Sequence, residues 1–314
     1  MIAVLGEALI DFIGMRSADG SDCYQPHPGG CALNASVAAA RMGAPVTYVG
    51  RLSSDMFGER MQSHLRTNNV ALLPELCGCP EHSMIGFARL DERGSATYAF
   101  YIEGTTITKM DCASIMQSLQ SIPGLRFLHV GSVALTLTSS GMAISDALER
   151  LTPKPFVFLD PNVRLTMVED LQSYRERLFR VVSAASIVKL SDEDLAVLYP
   201  HLDAEQAVER LLEGGAAHVV LTRGSKGLQW CTATGLRVEQ PAFPVDVVDT
   251  VGAGDTVSGT LLAYLDEHRL YDAAAITERH VRTASRLAAA AAAITCSRKG
   301  CDPPFKGEPA LKSS

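Results

Sequence analysis

The densest run of chemistry-bearing residues is Asp249-Thr250-Val251-Gly252-Ala253-Gly254-Asp255, which leads into a helical pattern over Thr256–Leu265. Small residues at 252–254 let the backbone approach a ligand closely. The helix that follows aims its unpaired N–H groups and positive dipole end at the same spot. Such donors stabilise charge that moves between phosphoryl oxygens during group transfer. Asp255 falls at the helix start, where it either caps the helix or accepts a proton from a hydroxyl. A helix N-terminus favours the ionised carboxylate, so Asp255 is expected to be charged at neutral pH. The segment is not a Walker phosphate loop, because no Lys-Ser/Thr follows the glycines, and it is not a G-x-G-x-x-G dinucleotide fingerprint.

Pro28-Gly29-Gly30-Cys31-Ala32-Leu33-Asn34 opens a second helical pattern that runs to Met42. Its glycines either shape an ordinary helix start or bring backbone against a ligand, and Asn34 offers both a donor and acceptors to sugar hydroxyls. Asp11 interrupts the apolar run Leu9–Ile13. A carboxylate there is either exposed on a strand or buried with partners such as hydroxyls.

The elements that position these groups alternate. Apolar strand candidates at Ala3–Leu5, Val46–Val49, Phe127–Val130, Phe156–Leu159, Ile187–Leu190 and His218–Leu221 are separated by helical patterns such as Thr138–Leu151, Tyr174–Ala184 and Ala204–Glu213. Strands that are apolar throughout and alternate with helices predict a doubly wound, mainly parallel α/β sheet. Polar clusters follow four of them: Gly131-Ser132, Asp160-Pro161-Asn162-Val163-Arg164, Ser191-Asp192-Glu193-Asp194 and Thr222-Arg223-Gly224. Ligands bind beyond the carboxyl ends of such strands, so these clusters are expected to share one rim with Lys189 close by. Met84–Leu90 and Ser95–Tyr101 read as a hairpin turning at 91–94. Its second arm places Ala96, Tyr98 and Phe100 on one face and Thr97, Ala99 and Tyr101 on the other. With Leu9–Ile13 and Cys23–His27 it predicts a small sheet projecting as a lid, or else an edge of the main sheet. The alanine run Ala288–Ala293 predicts a close-packed helix. The stretch from Asp302, with three prolines, is expected to be loosely ordered.

Composition bounds the partners. The chain has 314 residues, 47% hydrophobic and 20% charged, with a net charge of −7. That acidity argues against nucleic acid, which demands a basic surface. Eight cysteines in so long a chain do not make a disulfide framework, and Cys77-x-Cys79 lacks a second Cys/His pair at zinc spacing. They are read as free thiols in a reducing cytoplasm. Ile2–Ile13 carries Glu7 and Asp11 and no basic stretch, so it is not read as a signal peptide. No apolar run reaches membrane-spanning length.

In Gly29-Gly30-x-x-x-Asn34 followed by Arg41-Met42-Gly43, and in Asp249-Thr250-x-Gly252-Ala253-Gly254-Asp255, the chain resembles the ribokinase-like (PfkB) sugar kinases over about residues 1–305. Gly6-Glu7-Ala8-Leu9-Ile10-Asp11-Phe12 and Asp160-Pro161-Asn162-x-Arg164 look like the fructokinase and 2-keto-3-deoxygluconate kinase branch. The resemblance implies a Rossmann-like α/β/α domain with a β-sheet lid drawn from about residues 8–28 and 84–105, then a tail at 306–314. It implies ATP- and Mg²⁺-dependent phosphorylation of a small sugar, with Asp255 as base and Gly252, Ala253 and Gly254 as anion hole. It puts the sugar on Asp11, Gly29, Gly30 and Asn34, and Arg164 near the transferred phosphate or an acidic substrate, with Tyr101 a further substrate-binding candidate. It puts ATP on the loop of Thr222, Gly224 and Gly227, and Asn162, Lys189 and Ser191 on the same rim are further candidates to bind it. Asp194 would hold Mg²⁺ through water, and Asp249 with nearby carbonyls would hold K⁺. The chain departs from the family where Ser191 and Asp194 stand for the Asn and Glu of N-x-x-E, and where Val168 replaces an aromatic.

Fructose is the expected substrate. The alternatives are 2-keto-3-deoxygluconate, whose carboxylate would meet Arg164, Arg89 or Tyr101, an aminoimidazole riboside or ribose-type substrate, and a non-catalytic sugar-binding regulator. The lid's apolar face also implies a homodimer.

Overall fold

A run of hydrophobic side chains on a strand buries both faces only if helices cover it from above and below. The computed structural model, which describes residues 1–90 and 96–312, is built that way. Nine strands lie in the spatial order Arg237–Gln240, Leu228–Thr232, His218–Thr222, Ile187–Ser191, Phe156–Asp160, Phe127–Gly131, Ile2–Leu5, Val46–Val49 and Ala71–Leu72. Every pairing is parallel except the two that add Leu228–Thr232 and Arg237–Gln240, an antiparallel edge not foreseen in the sequence.

Two apolar cores fill the layers. One packs Leu128, Val130 and Leu159 under the helices Cys112–Ser121, Thr138–Arg150 and Leu171–Ala184. The other packs Ile2, Val4 and Phe158 under Cys31–Arg41, Ala253–Glu267 and Glu278–Cys296. The alanine run lies within Glu278–Cys296, with Ala288 and Ala291 fully buried, so its short side chains let that helix lie close. The strand order reverses between Ile2–Leu5 and Phe127–Gly131. That is the switch point where such sheets open a crevice at their carboxyl ends.

A separate four-stranded sheet joins Asp22–Gly29, Leu9–Arg16, Met84–Leu90 and Ala96–Tyr101 in that order. The expected turn at 91–94 lies outside the described residues. Pleating gives this sheet two distinct faces. The register pairs Asp11 with His27 and Gly86, and Gly86 with Phe100, so these four share one face. Phe12, Phe87, Tyr24 and Tyr101 cluster on the other, with the Phe12 and Phe87 rings stacked at 4.9 Å.

The segment from Asp302 is not loose. Arg41 stands at the end of the Cys31–Arg41 helix, donates to Asp302 and to Pro303 O, and lies 4.5 Å over the Phe305 ring. Lys306 N–H returns to Arg41 O at 2.8 Å, and Arg298 pairs with Glu308 at 2.6 Å. One guanidinium satisfying two acceptors and a ring outweighs the disorder that prolines signal locally. Among the described residues no helix is long and apolar enough to cross a membrane.

Candidate active site

The switch-point crevice is tied together by Glu7, which follows the strand Ile2–Leu5. Its carboxylate accepts from Cys31 N–H at 3.1 Å and Ala134 N–H at 3.2 Å, so one side chain fixes the starts of two helices. Burial lifts its pKa to about 7 against the hydrogen bonds that oppose the rise. Gly30, at φ 99°, caps the Cys31–Arg41 helix, and a Cβ there would come within 2.9 Å of Glu7 O. Gly29 has another reason to be glycine: a Cβ would meet the Asp11 carboxylate at 2.3 Å. The glycine pair therefore admits a carboxylate as well as opening a helix.

Asp255 lies in the first turn of the Ala253–Glu267 helix, capped by Gly252 in the left-handed region at φ 75°. It is 7% exposed, and Asn34 Nδ2 donates to its Oδ2 at 2.8 Å. The two sequence motifs, 221 residues apart, thus meet in one contact. The helix start is not the largest influence on its pKa. Burial pushes the Asp255 pKa up, and Asp160 pushes it further, against hydrogen bonds from Cys31 and Asn34 and the charge of Lys189. A carboxylate held above its ordinary value is a stronger proton acceptor.

Directly beneath the anion hole lies Lys189. A Cβ placed on Gly254 would stand 2.9 Å from Lys189 Nζ. That ammonium pairs with Asp160 Oδ2 at 2.9 Å, and Ser258 Oγ donates to the same oxygen at 2.8 Å. Burial alone would lower the Lys189 pKa, but Asp160 and other negative neighbours raise it on balance. A buried cation below first-turn N–H groups adds positive potential to the floor. Its contact to the nucleotide, expected from the sequence, becomes support from underneath, since only 4% of it is exposed.

The cleft between the small sheet and this floor is lined by Asp11, His27, Asn34, Asp249, Lys299 and Cys301. Asp11 is lifted to a pKa of about 6, chiefly by desolvation and then by Asp255, with Arg164 opposing. Arg164 is thus near enough to Asp11 for its charge to be felt there. Tyr101 is not in the cleft: it is 61% exposed on the aromatic face, opposite Asp11. Strand alternation puts Phe100 on the cleft side instead. His27 and Lys299 went unrecognised in the sequence. His27 is the register partner of Asp11, a pairing that requires the turn geometry to be known.

Around the rim, the remaining expected residues divide. Asn162 sits at φ 39°, and the next N–H, of Val163, donates to Asp194 Oδ1 at 2.7 Å. Asp194 Oδ2 accepts from Ser191 N and Oγ, closing a capping box. Ser191 and Asp194 thus bind two rim loops together, and Asp194 is not an open carboxylate. Thr222 Oγ1 donates to Leu190 O at 3.3 Å. Gly224, at φ 51°, has open space where a Cβ would point, as a backbone lined up for a ligand requires. Gly227 does not: a Cβ there would strike Gln240 O at 2.1 Å, so its glycine serves the edge strands. Asp249 accepts from Val251 N–H at 3.0 Å and Gly300 N–H at 2.9 Å, clasping the loop before the anion hole to the one after the last long helix.

A glycine-capped helix start with a buried carboxylate in its first turn, beside a cleft lined by Asp11 and Asn34, has the parts that phosphoryl transfer to an alcohol needs. The chain belongs to the pfkB family of carbohydrate kinases, whose model matches residues 1–306. It is 34% identical over 285 residues to a fructokinase of Rhizobium leguminosarum bv. trifolii, covering 90% of this chain and 83% of that one. Among solved structures it is similar to the ATP-bound fructokinase of Xylella fastidiosa, with a TM-score of 0.86, 26% identity and coverage of 99% and 97%. It is also similar to the aminoimidazole riboside kinase of Salmonella enterica in complex with aminoimidazole riboside and an ATP analogue, with a TM-score of 0.83, 25% identity and coverage of 99% and 98%.

Proposed function

We propose that this chain is a fructokinase, moving the γ-phosphate of ATP to a hydroxyl of fructose bound between the small sheet and the Gly252–Gly254 floor. The observation that carries the reading is the Asn34–Asp255 contact, which brings the hydroxyl-reading motif and the base within one hydrogen bond of each other. The sugar lies against Asp11, Asn34 and the Gly29–Gly30 backbone, with Phe100 and His27 on the sheet side. ATP runs along the Thr222–Gly224 rim past Asn162, and its terminal phosphate faces the first-turn N–H groups. Asp255 takes the hydroxyl proton as that oxygen attacks phosphorus. The leaving ADP oxygen develops charge over the floor that Lys189 supports.

Mg²⁺ supplies neutralisation of phosphate charge. Asp194 Oδ1 accepts a single N–H and keeps acceptor capacity for an ion-bound water, so the residues present fit an ion held at one remove. The Asp249 clasp supports a K⁺ site formed by carbonyls of the two loops it joins. The four-stranded sheet acts as the lid, and the protein works in the cytoplasm.

The test is an ATP-consumption assay over fructose, 2-keto-3-deoxygluconate and ribosides. Fructose is expected to give a kcat/KM at least about tenfold above the others, the scale set by one polar contact to a hydroxyl. Turnover of none of them, with tight sugar binding in calorimetry, would leave a sugar-binding regulator.

Two further results are expected. Asp11 must be ionised to accept hydroxyl hydrogen bonds, and with a pKa of about 6 it is ionised above that pH and loses charge as pH falls through it. Sugar affinity measured by calorimetry is expected to weaken by roughly fourfold between pH 8 and pH 5.5, a simple one-proton curve. In Asp11→Asn that inflection disappears, and an unchanged curve in the variant would remove Asp11 from the sugar site. The two faces of the lid separate in the same way. Phe100→Ala is expected to raise KM for sugar by about tenfold, the scale of a lost aromatic contact. Tyr101→Ala leaves KM within twofold or so and instead weakens a dimer formed through the aromatic face, read by light scattering. The reverse pattern would put Tyr101 back in the cleft.

A further inference from the structure

Near Asp255 lies a set of buried polar groups whose unpartnered atoms the phosphoryl-transfer chemistry leaves unexplained. His129, on the strand Phe127–Gly131, is fully buried, and neither ring nitrogen has a hydrogen-bond partner. Asp160, on the adjoining strand, is also fully buried, and its Oδ1 has no partner either. Cys31, the first residue of its helix, is 5% exposed and is not in a disulfide. One ligand atom from each of the three lies within 4.8 Å of the other two. Buried polar atoms are nearly always partnered, and the unpartnered His129 and Asp160 atoms, gathered beside a Cys31 thiol whose hydrogen bond goes to Asp255, mark a missing occupant.

We propose that Cys31, His129 and Asp160 form a site for a zinc-class divalent cation beneath the catalytic floor. Sulfur, imidazole nitrogen and one carboxylate oxygen are the donors such an ion prefers, whereas Mg²⁺ demands an octahedron of oxygens. The surroundings are arranged for a cation. Lys189 Nζ and Ser258 Oγ both occupy Asp160 Oδ2, which leaves Oδ1 without a partner among the described residues. The Glu7 carboxylate accepts from Cys31 N–H at 3.1 Å, Asp160 is one of the three ligands, and Lys189 is the ammonium paired within this group. A divalent ion offsets the surplus negative charge. Binding converts the Cys31 thiol to a thiolate and releases its proton to solvent, and a water completes the tetrahedron.

The test uses the full-length chain, stripped of metal and titrated with Co²⁺, then with Zn²⁺. A thiolate-to-cobalt charge-transfer band is expected to rise to a stoichiometric end point and to vanish on addition of Zn²⁺. Cys31→Ser is expected to lose the band and to retain at least tenfold less Zn²⁺ after gel filtration, while Cys301→Ser keeps both. A wild-type chain that shows no band and holds no Zn²⁺ after gel filtration overturns the proposal and leaves a buried water as the occupant. So does a band that survives in Cys31→Ser. The wild-type titration decides the matter even if a variant fails to fold, and it does not depend on which sugar is phosphorylated.

Discussion

Asp255→Asn is expected to lower kcat by about a thousandfold, the middle of the range for removing a positioned general base, while sugar affinity stays within a few fold. The substitution is nearly isosteric. Its amide oxygen can still accept from Asn34 Nδ2, now at 2.8 Å from Asp255 Oδ2, so the cleft keeps its shape. What is lost is the acceptor whose proton affinity burial and Asp160 raise. A thousandfold corresponds to about 4 kcal/mol of transition-state stabilisation. The comparison needs two measurements, turnover by coupled assay and sugar binding by calorimetry, because a fall in both would mean a damaged cleft. An Asn variant that keeps more than about a tenth of wild-type kcat would take the base role away from this residue.

Much of this site is legible in the chain because it is encoded locally. Glycines beside a helix start, and an acidic residue a few positions on, follow from spacing alone. The convergence of the rim clusters follows from the parallel sheet, since equivalent strand ends cannot avoid sharing an edge. What was not legible depends on register and on distant partners. The alternation along Ala96–Tyr101 already separated Phe100 from Tyr101, but only pairing with Met84–Leu90 and Leu9–Arg16 shows which face holds Asp11. Gly227 looks like a ligand-facing glycine until Gln240, from another strand, is found against it. The upward shift of the Asp255 pKa comes from burial and from Asp160, with Asn34 opposing, none of which the helix-dipole argument contains. The grip of Arg41 on Asp302 and Pro303 likewise joins positions more than 260 apart. Departures from local expectation gather around the cleft, as they do when a site requires buried charge.

Gly254→Ala isolates the contribution of the floor, because its penalty is chemical rather than conformational. Gly252 would not serve: its φ of 75° strains any side chain, and a Cβ there would meet Cys301 Sγ at 2.1 Å. Gly254 is in the helix, where alanine is the more stable residue, so the backbone loses nothing. The added methyl meets only Lys189 Nζ at 2.9 Å. It must therefore push the ammonium away, which distances the transferred phosphoryl group from its positive support. A loss of one well-placed donor in such sites costs about a hundredfold in kcat. The variant is expected to show that fall, with a melting temperature at or above that of the parent and sugar affinity unchanged. A Gly254→Ala protein with parental kcat would mean that phosphoryl charge is stabilised elsewhere, and that Lys189 serves only to neutralise Asp160.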